Sequence, residues 1–216
     1  MIDLYCERLD PDLWAEPINA FTNLAFLVAA FVSWRLAVQH KSLSIEGWIL
    51  IGLMAIIGIG SGLFHTFATT WSRYLDVIPI LLYQITFLWF YGRRVVKLQA
   101  GYLAGAVVVY LIAAHLGRQF PHILNGSLIY APAFLLTLVL GVYHYRHAKK
   151  EHNILLLAIA VFTLSLFFRS IDQIVCTYFP IGTHFLWHLF NGLLVYLTFR
   201  GLVVNLPVIQ KEPDRN

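Results

Sequence analysis

Residues 46–67 read EGWILIGLMAIIGIGSGLFHTF, a run with one acid at its start, no lysine or arginine, and a histidine at its far end. Twenty or so apolar residues in helical conformation reach across about 30 Å of hydrocarbon. A soluble core needs nothing so long or so uniformly greasy. The stretch therefore predicts a helix that crosses a membrane. Working outward, the same signature recurs six more times, which places the spans at about 18–37, 46–67, 74–93, 98–116, 127–146, 152–171 and 184–204 of a 216-residue chain. Composition agrees, since 59% of residues are hydrophobic and only 12% charged. The expected fold is an all-α, seven-transmembrane helix bundle in one domain, 1–216, with short connections.

Orientation follows from the basic residues, which stay on the cytoplasmic side when they sit in short loops. Arg35, Lys41, Arg93, Arg94, Lys97, Arg146, Lys149, Lys150, Arg200, Lys211 and Arg215 fall on one side, and only Arg8, Arg73, Arg118 and Arg169 on the other. The N-terminus is thus expected outside and the C-terminus in the cytoplasm. Because topology accounts for the basic residues, the net charge of +4 implies no nucleic-acid partner. Residues 1–17 form an acidic cap: the first sixteen hold five of the eleven acids, Asp3, Glu7, Asp10, Asp12 and Glu16, where a signal peptide would carry a basic and then an apolar stretch.

Three histidines carry the chemistry. His184 and His188 are four apart and so share a helix face. His65 ends the second span, which runs outward, while the seventh starts outside, so all three are expected at one depth. Two imidazoles from one helix turn and a third from elsewhere, with a position left open, suit a catalytic zinc. Ser61 lies four residues before His65, and Asp76 opens the third span. An acid within a membrane segment is expensive enough that a functional role is the default. The pattern predicts metal ligands His65, His184 and His188, with catalytic roles for Asp76 and Ser61. Asp172, three residues after Arg169, is expected to form a structural ion pair with it. Asn19, Asn23 and Asn191 are expected to bond between helices, and Gly58, Gly60 and Gly62 to allow a neighbouring helix close. Cys6 and Cys176 both fall on the outer side; a disulfide between them in an oxidising compartment and two free buried thiols are both open.

Three blocks, "DLYCERLDPDLWAEPINAFTN" at 3–23, "GIGSGLFHTFATTWSRYLDVIPI" at 58–80 and "RSIDQIVCTYFPIGTHFLWHLFNG" at 169–192, give the chain its resemblance to a family. Ser-x3-His, an aspartate eleven residues on, and then His-x3-His make it similar to the alkaline ceramidases, within the wider group of seven-span hydrolases that includes adiponectin-receptor-like proteins. The short loops look more like bacterial members. The resemblance implies a zinc-dependent amidohydrolase that cleaves ceramide-like membrane lipids to a fatty acid and a sphingoid base, in a bacterial inner membrane with its site toward the periplasm. Zinc would sit on His65, His184 and His188, with Asp76 at the bound water and Ser61 at the oxyanion. Animal members add a calcium site in the N-terminal segment, and the positions that match it here are Asp3, Glu7 and Glu16, with a carbonyl near Tyr5. The family's asparagine falls at Leu9 in this chain, with Asp10 beside it.

Other classes of seven-span protein fit less well. A retinal protein needs a lysine in its last span, and residues 184–204 contain none. A transporter would show repeated halves or interrupted helices, and a haem would take axial ligands from opposite faces. The competing readings are a related hydrolase of another lipid amide or ester and a zinc-containing lipid receptor.

Overall fold

In hydrocarbon every backbone N–H and C=O must find its partner inside its own segment, so apolar runs of this length become helices. The computed structural model describes residues 1–207, and their regular structure is entirely helical. Helices α1 (Pro17–Thr22) and α2 (Leu24–Gln39) together make the first crossing. The others are α3 (Ile45–Phe67), α4 (Thr70–Tyr91, continued by a π turn over Gly92–Val96), α5 (Ala100–Arg118), α6 (Ala131–Arg146, entered through a 3-10 stretch over Ile123–Tyr130), α7 (Ile154–Val175) and α8 (His184–Val203). All seven crossings are long and apolar enough to span a membrane. Of the basic residues expected on the cytoplasmic side, Lys211 and Arg215 lie outside the described residues.

Local chemistry sets the ends. Ser44 caps α3 by accepting the Gly47 N–H. Thr69 and Ser72 form a reciprocal capping box, so α4 starts at Thr70 rather than at 74 and takes Arg73 into its first turn. α7 runs on to Val175, past the expected end at 171, and carries Asp172 within the helix.

α8 is the most buried of the seven crossings and stands between two apolar clusters. On one side Phe26, Leu50, Met54, Ile57, Tyr83 and Phe87 from α2, α3 and α4 pack against its Val195 and Phe199. On the other, Tyr110, Ala133, Ala158 and Phe162 from α5, α6 and α7 pack around its Trp187, Leu194 and Leu197. An apolar cavity runs between the clusters, lined by Phe26, Ile57, Tyr83, Ala133 and Leu140 and reaching Trp187 and Asn191.

The contact between α3 and α4 positions the site. Pro79 lies inside α4 and has no N–H, so the Leu75 carbonyl one turn earlier lacks its intrahelical donor. α3 approaches that carbonyl at Gly60, where a Cβ would stand only 2.1 Å from the Leu75 oxygen. The next residue on each helix is Ser61 and Asp76. The close approach thus brings those two side chains together. Gly62, by contrast, has room for a side-chain carbon, since a Cβ there would meet the Ala20 carbonyl oxygen at 3.8 Å, an ordinary contact distance.

Candidate metal centre

His65 sits in the last turn of α3, which stops at Ala68 in a left-handed conformation with φ +45°. That turn is tied to the N-terminal segment by the Ile2 N–H, which donates to the Ala68 carbonyl at 2.7 Å. His184 and His188 occupy the first two turns of α8. All three histidines are buried, and one nitrogen from each lies within 4.8 Å of the others. Among the described residues this is the one such group of three or more histidine, cysteine or carboxylate side chains.

The buried ring nitrogens without a hydrogen-bond partner are His65 Nε2, His184 Nδ1 and His188 Nε2, one on each ring. A buried polar atom left unpaired costs about 1–3 kcal/mol. Three on neighbouring rings suit a shared partner. The opposite ring nitrogens of two of these histidines have partners of their own. Thr22 gives its hydroxyl proton to the Ile18 or Asn19 carbonyl, at 2.8 and 3.1 Å, so at 2.9 Å from His188 it accepts the Nδ1 proton. Glu16 likewise accepts from His65 Nδ1 at 2.5 Å. A neutral ring that donates through Nδ1 carries its lone pair on Nε2, as a ligand must. Tyr5 stacks on the His184 ring, centroids 3.6 Å apart, and closes the pocket from the cap side. This donor set, three imidazoles of which one leans on a carboxylate, one on a hydroxyl and one on the Tyr5 ring, fits zinc.

The two proposed reacting residues are adjacent. Ser61 is buried one turn before His65, and Asp76 is half-buried on α4, each next in sequence to the close contact between Gly60 and Leu75.

Asp172 does not pair with Arg169. Its Oδ1 accepts the N–H groups of Thr183 at 2.7 Å and His184 at 2.9 Å, and its Oδ2 that of Cys6 at 3.1 Å. Three backbone donors satisfy the buried carboxylate without any cation. It thereby sets where α8 begins, and with it the height of His184. Only glycine fits beside it: Gly182 has φ +64°, and a Cβ there would lie 2.2 Å from Asp172 Oδ1. Arg169 turns instead to the Asn125 carbonyl at 2.5 Å and the Ser127 hydroxyl at 2.9 Å, and lies over the rings of Tyr130 and Trp187. Cys6 and Cys176 form a disulfide, Cα atoms 5.3 Å apart, which anchors the cap to the end of α7.

The cap's acids do not gather into one site. Asp3 is exposed, while Glu7 accepts the N–H groups of Ile18 and Asn19 at 2.6 and 2.8 Å and so caps α1. Burial pushes the Glu7 carboxyl up. Burial would do the same to Glu16, but the hydrogen bonds from His65 and Arg8 outweigh it and hold that carboxyl below its ordinary value. Asn191 bridges α8 to α7 through Ser165 at 2.6 Å, as expected, whereas Asn23 donates to the Asn19 carbonyl at 2.9 Å and Asn19 to Glu16 at 3.3 Å, both within their own stretch of chain rather than between helices. Thr22, Tyr5 and Arg8 carry no signal in the sequence that marks them as partners of the histidines. A lone threonine in a helix ordinarily bonds back to its own carbonyls, and no spacing rule connects it to a histidine on another span.

The family model described as Ceramidase matches residues 5–215. No curated protein and no solved structure matches the chain.

Proposed function

The chain belongs to the ceramidase family, and from that premise we propose that it is a zinc-dependent amidohydrolase that splits the amide of ceramide-like membrane lipids into a fatty acid and a sphingoid base. The observation that carries the reading is the convergence of three buried, unpartnered imidazole nitrogens beside a serine and an aspartate. Zinc held by His65, His184 and His188 would supply a Lewis acid and a water whose pKa falls from 15.7 toward about 7.

The chain's own residues do the rest. Glu16 and Thr22 fix the ring orientation of His65 and His188. Asp76, in the second turn of α4, takes the proton from the attacking water and returns it to the nitrogen of the leaving amine, so that one water is consumed and an acid and an amine are released. Ser61 donates to the amide oxygen as charge builds on it, a contact whose loss commonly costs on the order of 100-fold in rate. The apolar cavity that begins at Trp187 and Asn191, beside His188 on α8, takes an alkyl chain of the lipid. With the basic loops in the cytoplasm, the histidine end faces the periplasm or another oxidising compartment. The disulfide at the same end agrees with that placement.

The test is metal content and turnover together on the detergent-purified protein, with a panel of ceramides and other lipid amides and esters. About one zinc per chain with release of a sphingoid base is the expected result. Release only from another lipid would move the substrate assignment. Hydrolysis that survives in His188→Ala, or a protein unable to take up zinc, would end the zinc-hydrolase reading.

A further inference from the structure

The resemblance raises a calcium ion at the N-terminal cap, and the residues present there do not accommodate one. Calcium takes about six to eight oxygens at 2.3–2.6 Å. The oxygens that could serve are already occupied by a cation of the chain's own. Arg8 is 4% exposed, and its guanidinium donates through Nε to Glu16 Oε1 at 2.5 Å, through Nη1 to the Asp10 and Asp12 carbonyls at 3.4 and 3.2 Å, and through Nη2 to the His65 carbonyl at 2.9 Å. Of the other acids in the calcium set, Glu7 is committed to the start of α1 and Asp3 is exposed. A dication placed on Glu16 would stand beside a buried guanidinium with little water to screen the repulsion.

We propose that Arg8 is the resident cation of the cap, that the protein has no calcium requirement, and that Arg8 is a positioning residue for His65. The coupling is double. Arg8 holds the backbone of His65 directly through its carbonyl, in the last turn of α3, where the helix dipole favours positive charge. It also shares Glu16 with the imidazole: Oε1 faces Arg8 and Oε2 faces His65 Nδ1, so the guanidinium fixes the carboxylate that in turn fixes the ring. Arginine suits this place because its planar fork reaches four acceptors at once, which an ammonium does not. A folded peptide arm thus does what a bound ion would do, and does it at any calcium concentration.

The second half of the proposal rests on the three histidines being the zinc site; the first does not. Two measurements separate them. Thermal unfolding of the purified full chain in detergent, in EGTA and across a calcium titration to millimolar, is expected to show no shift; saturable stabilisation by calcium would overturn the proposal whether or not zinc is present. Zinc affinity, read by competition with a chromophoric chelator, is expected to fall by about 10- to 100-fold in Arg8→Ala. Arg8→Lys, which keeps the charge and loses the fork, serves if the alanine variant does not fold, and is expected to fall between the two. Wild-type zinc affinity in a folded Arg8→Ala or Arg8→Lys would overturn the positioning role. A wild-type chain that takes up no zinc would sink the proposed function and leave the calcium result to stand by itself.

Discussion

Replacing Gly60 by alanine tests whether the contact between α3 and α4 is what assembles the reacting pair. A Cβ at this position would lie 2.1 Å from the Leu75 carbonyl oxygen and 2.7 Å from its carbon, whereas ordinary contact begins near 3.4 Å. Both atoms are backbone, so no side chain can swing aside; the helices must part by about 1 Å. Overpacking of this kind costs about 1–3 kcal/mol of stability. The catalytic cost is larger, because Ser61 and Asp76 are the next residues on the two helices, and a misplacement of about 1 Å commonly costs on the order of 100-fold in rate. The three histidines of the proposed zinc site lie on α3 and α8, and α4 supplies none of them. If α4 is the helix that moves, metal content should stay near the wild-type value while turnover falls. The assay is ceramide hydrolysis and bound zinc measured on the same preparation of Gly60→Ala, with Gly62→Ala as control, since a Cβ there meets nothing closer than 3.8 Å. Wild-type turnover in Gly60→Ala, or an equal loss in Gly62→Ala, would refute the reasoning.

The same geometry sets three further outcomes. Thr22→Val keeps the shape and removes the acceptor for His188 Nδ1, so zinc affinity should drop by about 10- to 100-fold; a chelator competition that shows no change would mean that Thr22 does not orient the ring. Asp76→Asn should retain zinc and lose at least about 100-fold in kcat, as expected for a removed proton acceptor, and activity within a few-fold of wild type would exclude Asp76 from the proton path. Gly182→Ala forces a left-handed alanine against Asp172 Oδ1, and should cost roughly 2–4 kcal/mol from backbone strain and the disturbed buried hydrogen bonds. A melting temperature unchanged from wild type in detergent would show that the Asp172 cluster is not rigid.

Much of the architecture was readable because its cause is local. Seven apolar runs of membrane length become seven helices wherever they pack, and the four-residue spacing of His184 and His188 places them on one face of any helix. His65 was legible for a related reason: alternating crossings bring the end of the second span to the same depth as the start of the seventh. Asp172 shows where this kind of reading goes astray. Its separation of three from Arg169 satisfies the helical pairing rule, yet the carboxylate is claimed by backbone N–H groups of Cys6, Thr183 and His184, and backbone donors look the same in every sequence.

The partners of the histidines belong to the same class. Pro79 stands in the sequence four residues after Leu75, and Gly60 stands next to Ser61, but nothing in either stretch says that the carbonyl freed on one helix will be met by the glycine of the other. Glu16 reads as a calcium ligand when the cap is viewed as a string of acids, and as the partner of Arg8 and His65 once the arm folds over α3. Local pattern thus named the spans and the His184–His188 pair, and matched depth added His65, because helical periodicity and span length act on neighbours in sequence. Which oxygen each imidazole leans on, and which cation serves the cap, depended on contacts between segments far apart in the chain, where the nearest available donor or acceptor is settled by packing.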